Sequence, residues 1–198
     1  MQLTPSHIDL AATELELAGE VGRETILRDK LGDSLAEVDY LIIDCPPSLG
    51  ILTLNSLTTV HEVFLPMQPH FLALHGLSKL LHTVELVTRR LNPTLRASGV
   101  MFCMCDNQTR LANEVIGDVH EFFARQQGVS PWQTIRCFES RIRRNVRLAE
   151  APSFGRSIFE YAPTSAGADD YRRLATEVVA MESGQHASAP HTATTRAA

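Results

Sequence analysis

The clearest periodicity lies in the middle of the chain. Leu77, Leu80, Leu81, Val84, Val87 and Leu91 recur at helical spacing and predict a helix over 75–91, closed by Asn92-Pro93. A second helix is predicted over 110–127, with Leu111, Val115, Val119, Phe122 and Phe123 facing inward and Gly128 beyond its end. Short apolar runs alternate with these helices. Asp39–Asp44, Glu62–Pro66 and Gly99–Met104 each read as a strand buried on both faces, the first two stopped by proline. Trp132–Phe138 is a further strand. Helices are also predicted over 9–18, with Asp9 as N-cap, and over 23–36, with Ile26, Leu27, Leu31 and Leu35 on one side. Others are predicted over 50–59, as a short piece within 140–151 stopped by Pro152, and over 165–182. From Ser183 onward the chain is rich in small and polar residues without periodicity. It reads as a disordered tail, with residues 1–182 as one folded domain.

Strands alternating with helices predict an α/β fold with a mostly parallel sheet and helices on both faces. In such sheets ligands bind at the carboxyl ends of the strands. The residues to inspect are therefore 44–48, 68–70 and 106–109.

A chain of 198 residues, 44% hydrophobic, suits one well-buried domain. No apolar run reaches membrane-span length, and Met1–Pro5 has no signal-peptide character, so a soluble, cytoplasmic protein is expected. The cysteines (Cys45, Cys103, Cys105, Cys137) lack C-x-x-C spacing and read as buried free thiols. No H-x-x-x-H pair suggests a metal site.

Charge is unevenly spread. Residues 1–64 carry eleven acids against three bases, whereas 129–198 carry seven acids against nine bases. Six arginines (Arg136, Arg141, Arg143, Arg144, Arg147, Arg156) fall within 136–156, with only Glu139 and Glu150 against them. Such a cluster is either a solvated surface or a footprint for nucleic-acid phosphates. Few aromatics are interleaved, which argues against stacking on single strands.

Asp44 ends a buried apolar run. It is either a turn residue or a carboxylate that holds Mg²⁺ beside nucleotide phosphates. Cys45-Pro46-Pro47-Ser48 follows, and two prolines fix the backbone leaving the strand. Asp39–Gly50 resembles the Walker B segment of the ParA/Soj partition ATPases, relatives of MinD. Pro5–Ala11, Pro66–Leu74, Arg144–Gly155 and the ending from Tyr161 through Gly167-Ala168 to Leu174-Ala175 resemble further family segments in the family's order, over about residues 3–182.

The resemblance implies a P-loop-type fold and ATP with Mg²⁺ as cofactors. Asp44 would hold the metal through water, Pro47 would shape the γ-phosphate side, and Gln68 would sense the strand-end loop. Asp106 and Asn145 would approach the base. It also implies an ATP-bound homodimer on non-specific DNA and a ParB-type partner that stimulates hydrolysis, in a cytoplasmic, nucleoid-associated protein. Arg147 and Arg156, with Arg143 and Arg144 behind them, would face DNA. The family's usual Ile-Pro-Arg-Asn stands here as Ile142-Arg143-Arg144-Asn145, after an altered stretch, Cys137–Ser140. A MinD-like membrane cycle is disfavoured, because 183–198 has no basic amphipathic helix.

A phosphate loop needs glycines followed by Lys and Ser/Thr. The only lysines, Lys30 and Lys79, follow Asp29 and Ser78. The family's first strand, phosphate loop and first switch with its catalytic aspartate would lie before residue 1. The expectation is a truncated ATPase, inactive alone and prone to aggregate through exposed apolar faces. The alternative is a non-catalytic short homologue that binds DNA or a full ParA.

Overall fold

The computed structural model describes residues 3–46, 48–70, 73–106, 110–126 and 135–188. Its sheet has the strands β1 (Glu62–Met67), β2 (Arg96–Cys105) and β3 (Arg136–Arg143), in the order β1-β2-β3. Helix α4 (Ala73–Arg90) links β1 to β2, and α5 (Arg110–Gln126) links β2 to β3. This is an α/β fold with a parallel sheet, as the alternation predicts. The central strand is the most buried: Ala97–Val100, Phe102 and Cys105 are all inside. An apolar run without alternation is what a strand covered on both faces requires.

The chain forms two compact units. The first comprises residues 1–65, 72–99 and 121–135, and the second residues 66–71, 100–120 and 136–198.

In the first unit, Leu77, Leu81, Val84 and Val87 form the buried stripe of α4. Each contributes roughly 1.5–3 kcal/mol by leaving water. Leu91, expected inside, lies beyond the end of α4 and is 38% exposed. Helix α3 (Ile51–Thr59) is buried mainly through polar side chains: Thr53, Asn55, Ser56, Thr58 and Thr59. Each is satisfied. Asn55 accepts from the Leu27 amide at 2.9 Å and donates to the carbonyls of Arg23 and Ile51 at 2.7 and 2.9 Å. Thr58 donates to the Glu24 carbonyl at 2.5 Å. These bonds tether α2 (Ile26–Leu31), whose own side chains are not buried. Buried Asn92 closes the other end of α3, donating to the carbonyls of Leu57 and Val60 at 2.9 and 2.8 Å.

In the second unit, α5 buries Ala112, Val115, Ile116 and Val119, while Leu111, expected inside, is 52% exposed. Helix α8 (Ala166–Ser188) packs on β3 and buries Ala168, Leu174 and Met181. Between them run α6 (Val146–Glu150), a 3-10 turn (Ala151–Phe154) and α7 (Ile158–Tyr161). Gly167 is where α8 approaches α6. A Cβ there would sit 2.7 Å from Leu148 Cγ, so only glycine fits.

Four expectations are corrected. Residues 39–44 form no strand: Ile42 is 91% exposed and Leu41 39% exposed. A parallel strand has no internal hydrogen bonds, and no described strand pairs with this run. The helix expected over 9–18 is broken into a 3-10 turn (Ile8–Ala11), α1 (Thr13–Glu16) and a second 3-10 turn (Leu17–Gly19). Its cap is His7, whose ring accepts from the Asp9 amide at 3.3 Å. The strand expected over 132–138 is described from Arg136 onward and extends through 140–143, which read as helix. The helix read as ending at 182 continues as α8 to Ser188. Residues 131–134, Gly128 and 189–198 lie outside the described residues.

Replacing Asn92 with alanine leaves the Leu57 and Val60 carbonyls without their side-chain donor. Urea denaturation should show a loss of about 1–3 kcal/mol, against less than about 0.5 kcal/mol for Ser78→Ala on the exposed face of α4, scaled as a surface change.

Candidate nucleotide and DNA-facing site

Strand ends organise the second unit. Gln68 follows β1 directly and is exposed, its carbonyl accepting from the His70 amide at 2.9 Å. Asp106 follows β2 and is exposed. Asn145 follows β3 and caps α6, its Oδ1 accepting from the Arg147 amide at 2.8 Å. The Arg144 amide donates to the Cys105 carbonyl at 3.1 Å. That bond ties the exits of β2 and β3 together, so Asp106 and Asn145 leave from adjacent strand ends. The structure thus brings Gln68, Asp106 and Asn145 to the carboxyl edge of one sheet, where ligands bind in open α/β folds.

Met104, two residues before Asp106, has φ +51°. A non-glycine residue in this region is strained, and such strain concentrates at functional strand ends. Nothing in the sequence signals it.

Asp44 belongs to the first unit. It is exposed, and no described residue bonds to its carboxylate. A single uncommitted carboxylate fits a magnesium ion that keeps most of its waters and takes phosphate oxygens for the rest. Among the described residues no cluster of three or more metal-type ligands occurs. Pro47 lies outside the described residues.

The arginines divide by partner. Arg143 faces α8: its guanidinium donates to both Asp170 carboxylate oxygens, at 2.6 and 2.9 Å, and its amide donates to Asp170 at 3.0 Å. Burial alone would push the Asp170 carboxyl up, but the Arg143 guanidinium and amide outweigh it and hold the carboxyl below its ordinary range. Arg143 is therefore engaged inside the fold rather than offered to a ligand. Arg144 and Arg156 are exposed and form no ion pair among the described residues. Arg147 is exposed and pairs with Glu150 at 2.9 Å. Beneath them the 145–161 segment is braced by several contacts. Tyr161 donates to Glu150 at 3.0 Å, Phe154 stacks on Tyr161 at 5.0 Å, and Ser157 and Glu160 form a capping box.

Asp170 and Glu177 were not singled out from sequence. Their seven-residue spacing on one helix, two turns apart, is the signal that could have found them. Thiol burial is uneven. Cys105 is buried, Cys103 and Cys137 are half-buried, and Cys45, expected buried, is exposed. Burial pushes the Cys137 thiol up to about 11.

Comparison with known proteins identifies the family of the chain. The AAA domain family model matches residues 1–97. The chromosome partitioning protein ParA of Myxococcus xanthus is 42% identical over 179 residues, covering 90% of this chain and 60% of that protein. The sporulation initiation inhibitor protein Soj of Bacillus subtilis is 43% identical over 180 residues, covering 91% of this chain and 67% of that protein. The chain belongs to the ParA/Soj family. It spans about 60–67% of the length of these two relatives. Among solved structures, cobyrinic acid a,c-diamide synthase of Mycobacterium smegmatis with bound ADP and magnesium superposes with a TM-score of 0.68 at 31% identity, covering 88% of this chain and 60% of that one. The Arg143–Asp170 pair stands where the family's usual Ile-Pro-Arg-Asn is altered.

Loss of Asp170 strands a partly buried guanidinium. Asp170→Ala should cost about 1–3 kcal/mol, because the Arg143 side chain is 40% exposed and solvent takes up part of the loss, and Arg143→Met with Asp170→Leu should recover only part of it, since the Arg143 amide still lacks its acceptor. Because the folded Asp170 carboxyl lies below its unfolded value, its contribution is complete above about pH 4 and is lost as pH falls through the folded value. The stability difference between wild type and Asp170→Asn, followed by urea titration, should therefore shrink below pH 4.

Proposed function

We propose that this chain carries the magnesium side, the base side and the DNA-facing surface of a ParA/Soj partition ATPase. In its full-length form that protein works as an ATP-bound homodimer on non-specific DNA, in the cytoplasm at the nucleoid. A ParB-type partner stimulates hydrolysis and releases it. The observation that carries the reading is the placement of Asp106 and Asn145 on adjacent strand ends, in a chain 43% identical to Soj over 180 residues.

In this reading Asp44 holds Mg²⁺ through water and Pro47 shapes the γ-phosphate side. Gln68 senses the strand-end loop, and Asp106 and Asn145 flank the base. Magnesium held there would offset charge on the phosphate oxygens during phosphoryl transfer. Arg144, Arg147 and Arg156 contact DNA phosphates, while Arg143 holds the segment that presents them. Phosphate contacts of this kind give affinity without reading sequence. No helix among the described residues is long and apolar enough to cross a membrane.

The 198-residue chain has no Gly-Lys pair to cradle phosphates. Purified on its own, it should show no magnesium-dependent ATP turnover, and measurable turnover would overturn the assignment of the missing loop. In a form of the protein that carries the family's phosphate loop, Arg147→Glu with Arg156→Glu should weaken binding to random-sequence duplex DNA. It should also lower the salt slope by about 2, one per lost phosphate contact. Unchanged affinity and slope in a filter-binding titration would remove these arginines from the interface.

A further inference from the structure

Among the described residues β3 is an outer strand of the sheet, and an outer strand offers unpaired N–H groups to any passing chain. Here three of the strand's amides are held by carboxylates. The Glu139 and Ser140 amides donate to the two carboxylate oxygens of Glu177 at 2.9 and 2.8 Å, and the Ser140 hydroxyl donates to the same carboxylate. Further along, the Arg143 amide donates to Asp170 at 3.0 Å. Both acceptors stand on α8. Seven residues of helix advance about 10.5 Å, and three residues of strand advance about 10 Å. The carboxylates of α8 are therefore spaced to match the donors of β3, running in the opposite direction along it.

We propose that Glu177 and Asp170 act as a surrogate strand that closes the β3 edge against pairing with a second copy of this chain. A second copy is the occupant that the charges favour. In a two-fold antiparallel pairing of β3 centred on Arg141, Glu139 of each copy lies opposite Arg143 of the other. The two cross-strand pairs of opposite charge outweigh the single Arg141–Arg141 contact at the centre of the pairing. While Asp170 holds the Arg143 guanidinium that pair cannot form, and while Glu177 holds the Glu139 amide the ladder bond beside it cannot form either. An open groove of about 850 Å³ lies beside the strand, lined by Asn113, Arg141, Arg173 and Thr176 as well as the guarded residues.

Amide hydrogen exchange and sedimentation of the full 198-residue chain test this. Glu177→Gln keeps the shape of the side chain but has one acceptor oxygen for two strand amides. With that oxygen kept by Ser140, which offers two donors, exchange at Glu139 should rise at least tenfold while Ser140 changes little. The double variant Glu177→Ala, Asp170→Ala should expose all three amides and raise the dimer fraction well above that of the parent at equal concentration. Equal charge reversal at Glu139 and Arg143 on top of it should restore pairing, whereas Glu139→Lys alone should abolish it. Unchanged Glu139 exchange in Glu177→Gln overturns the guard. Dimerisation that ignores Glu139→Lys overturns the β3-to-β3 pairing. The single Gln variant reads the guard even where the double variant does not fold.

Discussion

The register of β3 against β2 is the constraint on which the second unit's site depends. The bond from the Arg144 amide to the Cys105 carbonyl fixes it at the strand exits. Side chains alternate along a strand, so a slip of one residue would exchange the neighbours of Arg143 and Arg144. In the observed register Arg143 turns to Asp170 on α8 and Arg144 turns to solvent. Asn145 is then free to cap α6 beside the exit that Asp106 uses. One backbone hydrogen bond thus separates the arginine that is held against α8 from those exposed to solvent. It also sets the two base-side candidates next to each other.

What could be read from sequence depended on whether an element carries its own cause. Helix α4 does: its stripe of Leu77, Leu81, Val84 and Val87 is buried as its spacing predicts. Strand β2 is legible for a similar reason, since an unbroken apolar run has no stable place except the middle of a sheet. The run at 39–44 has the same composition and yet forms no strand, because a parallel strand is defined by neighbours and no described strand pairs with it. Composition states what an element needs, and only the surrounding chain can supply it. The second half of β3, beyond Phe138, was missed for the opposite reason. Its residues Glu139, Ser140, Arg141 and Arg143 are polar, so no alternation marks it. It is a strand because β2 pairs with it and the carboxylates of α8 satisfy the amides of Glu139, Ser140 and Arg143.

Helix α3 makes the same point in the first unit. Its buried Thr53, Asn55, Ser56, Thr58 and Thr59 would pass on a hydropathy scale for a solvated face. They lie inside because each donates to a carbonyl, and because Asn55 also accepts the Leu27 amide. Directional bonds of this kind fix where α2 starts, which apolar contact alone does not. The cost of burying those polar atoms is offset only when each is satisfied, so the network holds the helix in one position.

The departure from the family motif at residue 143 has a physical consequence that the sequence alone left open. A proline there has no N–H and a fixed φ, so it terminates the strand without needing a partner. An arginine in its place adds both an amide donor and a long cation at a strand edge. The structure meets both demands with one residue, since Asp170 accepts the amide and two guanidinium nitrogens. That explains why the cap at Asn145 and the exit beside Asp106 survive the change: the arginine is drawn away from the loop and into contact with α8. It also shows why Arg143 and Arg144, neighbours in one basic run, belong to different roles. Local charge density could suggest a phosphate-facing surface, but only the partner of each guanidinium decides which arginines belong to it.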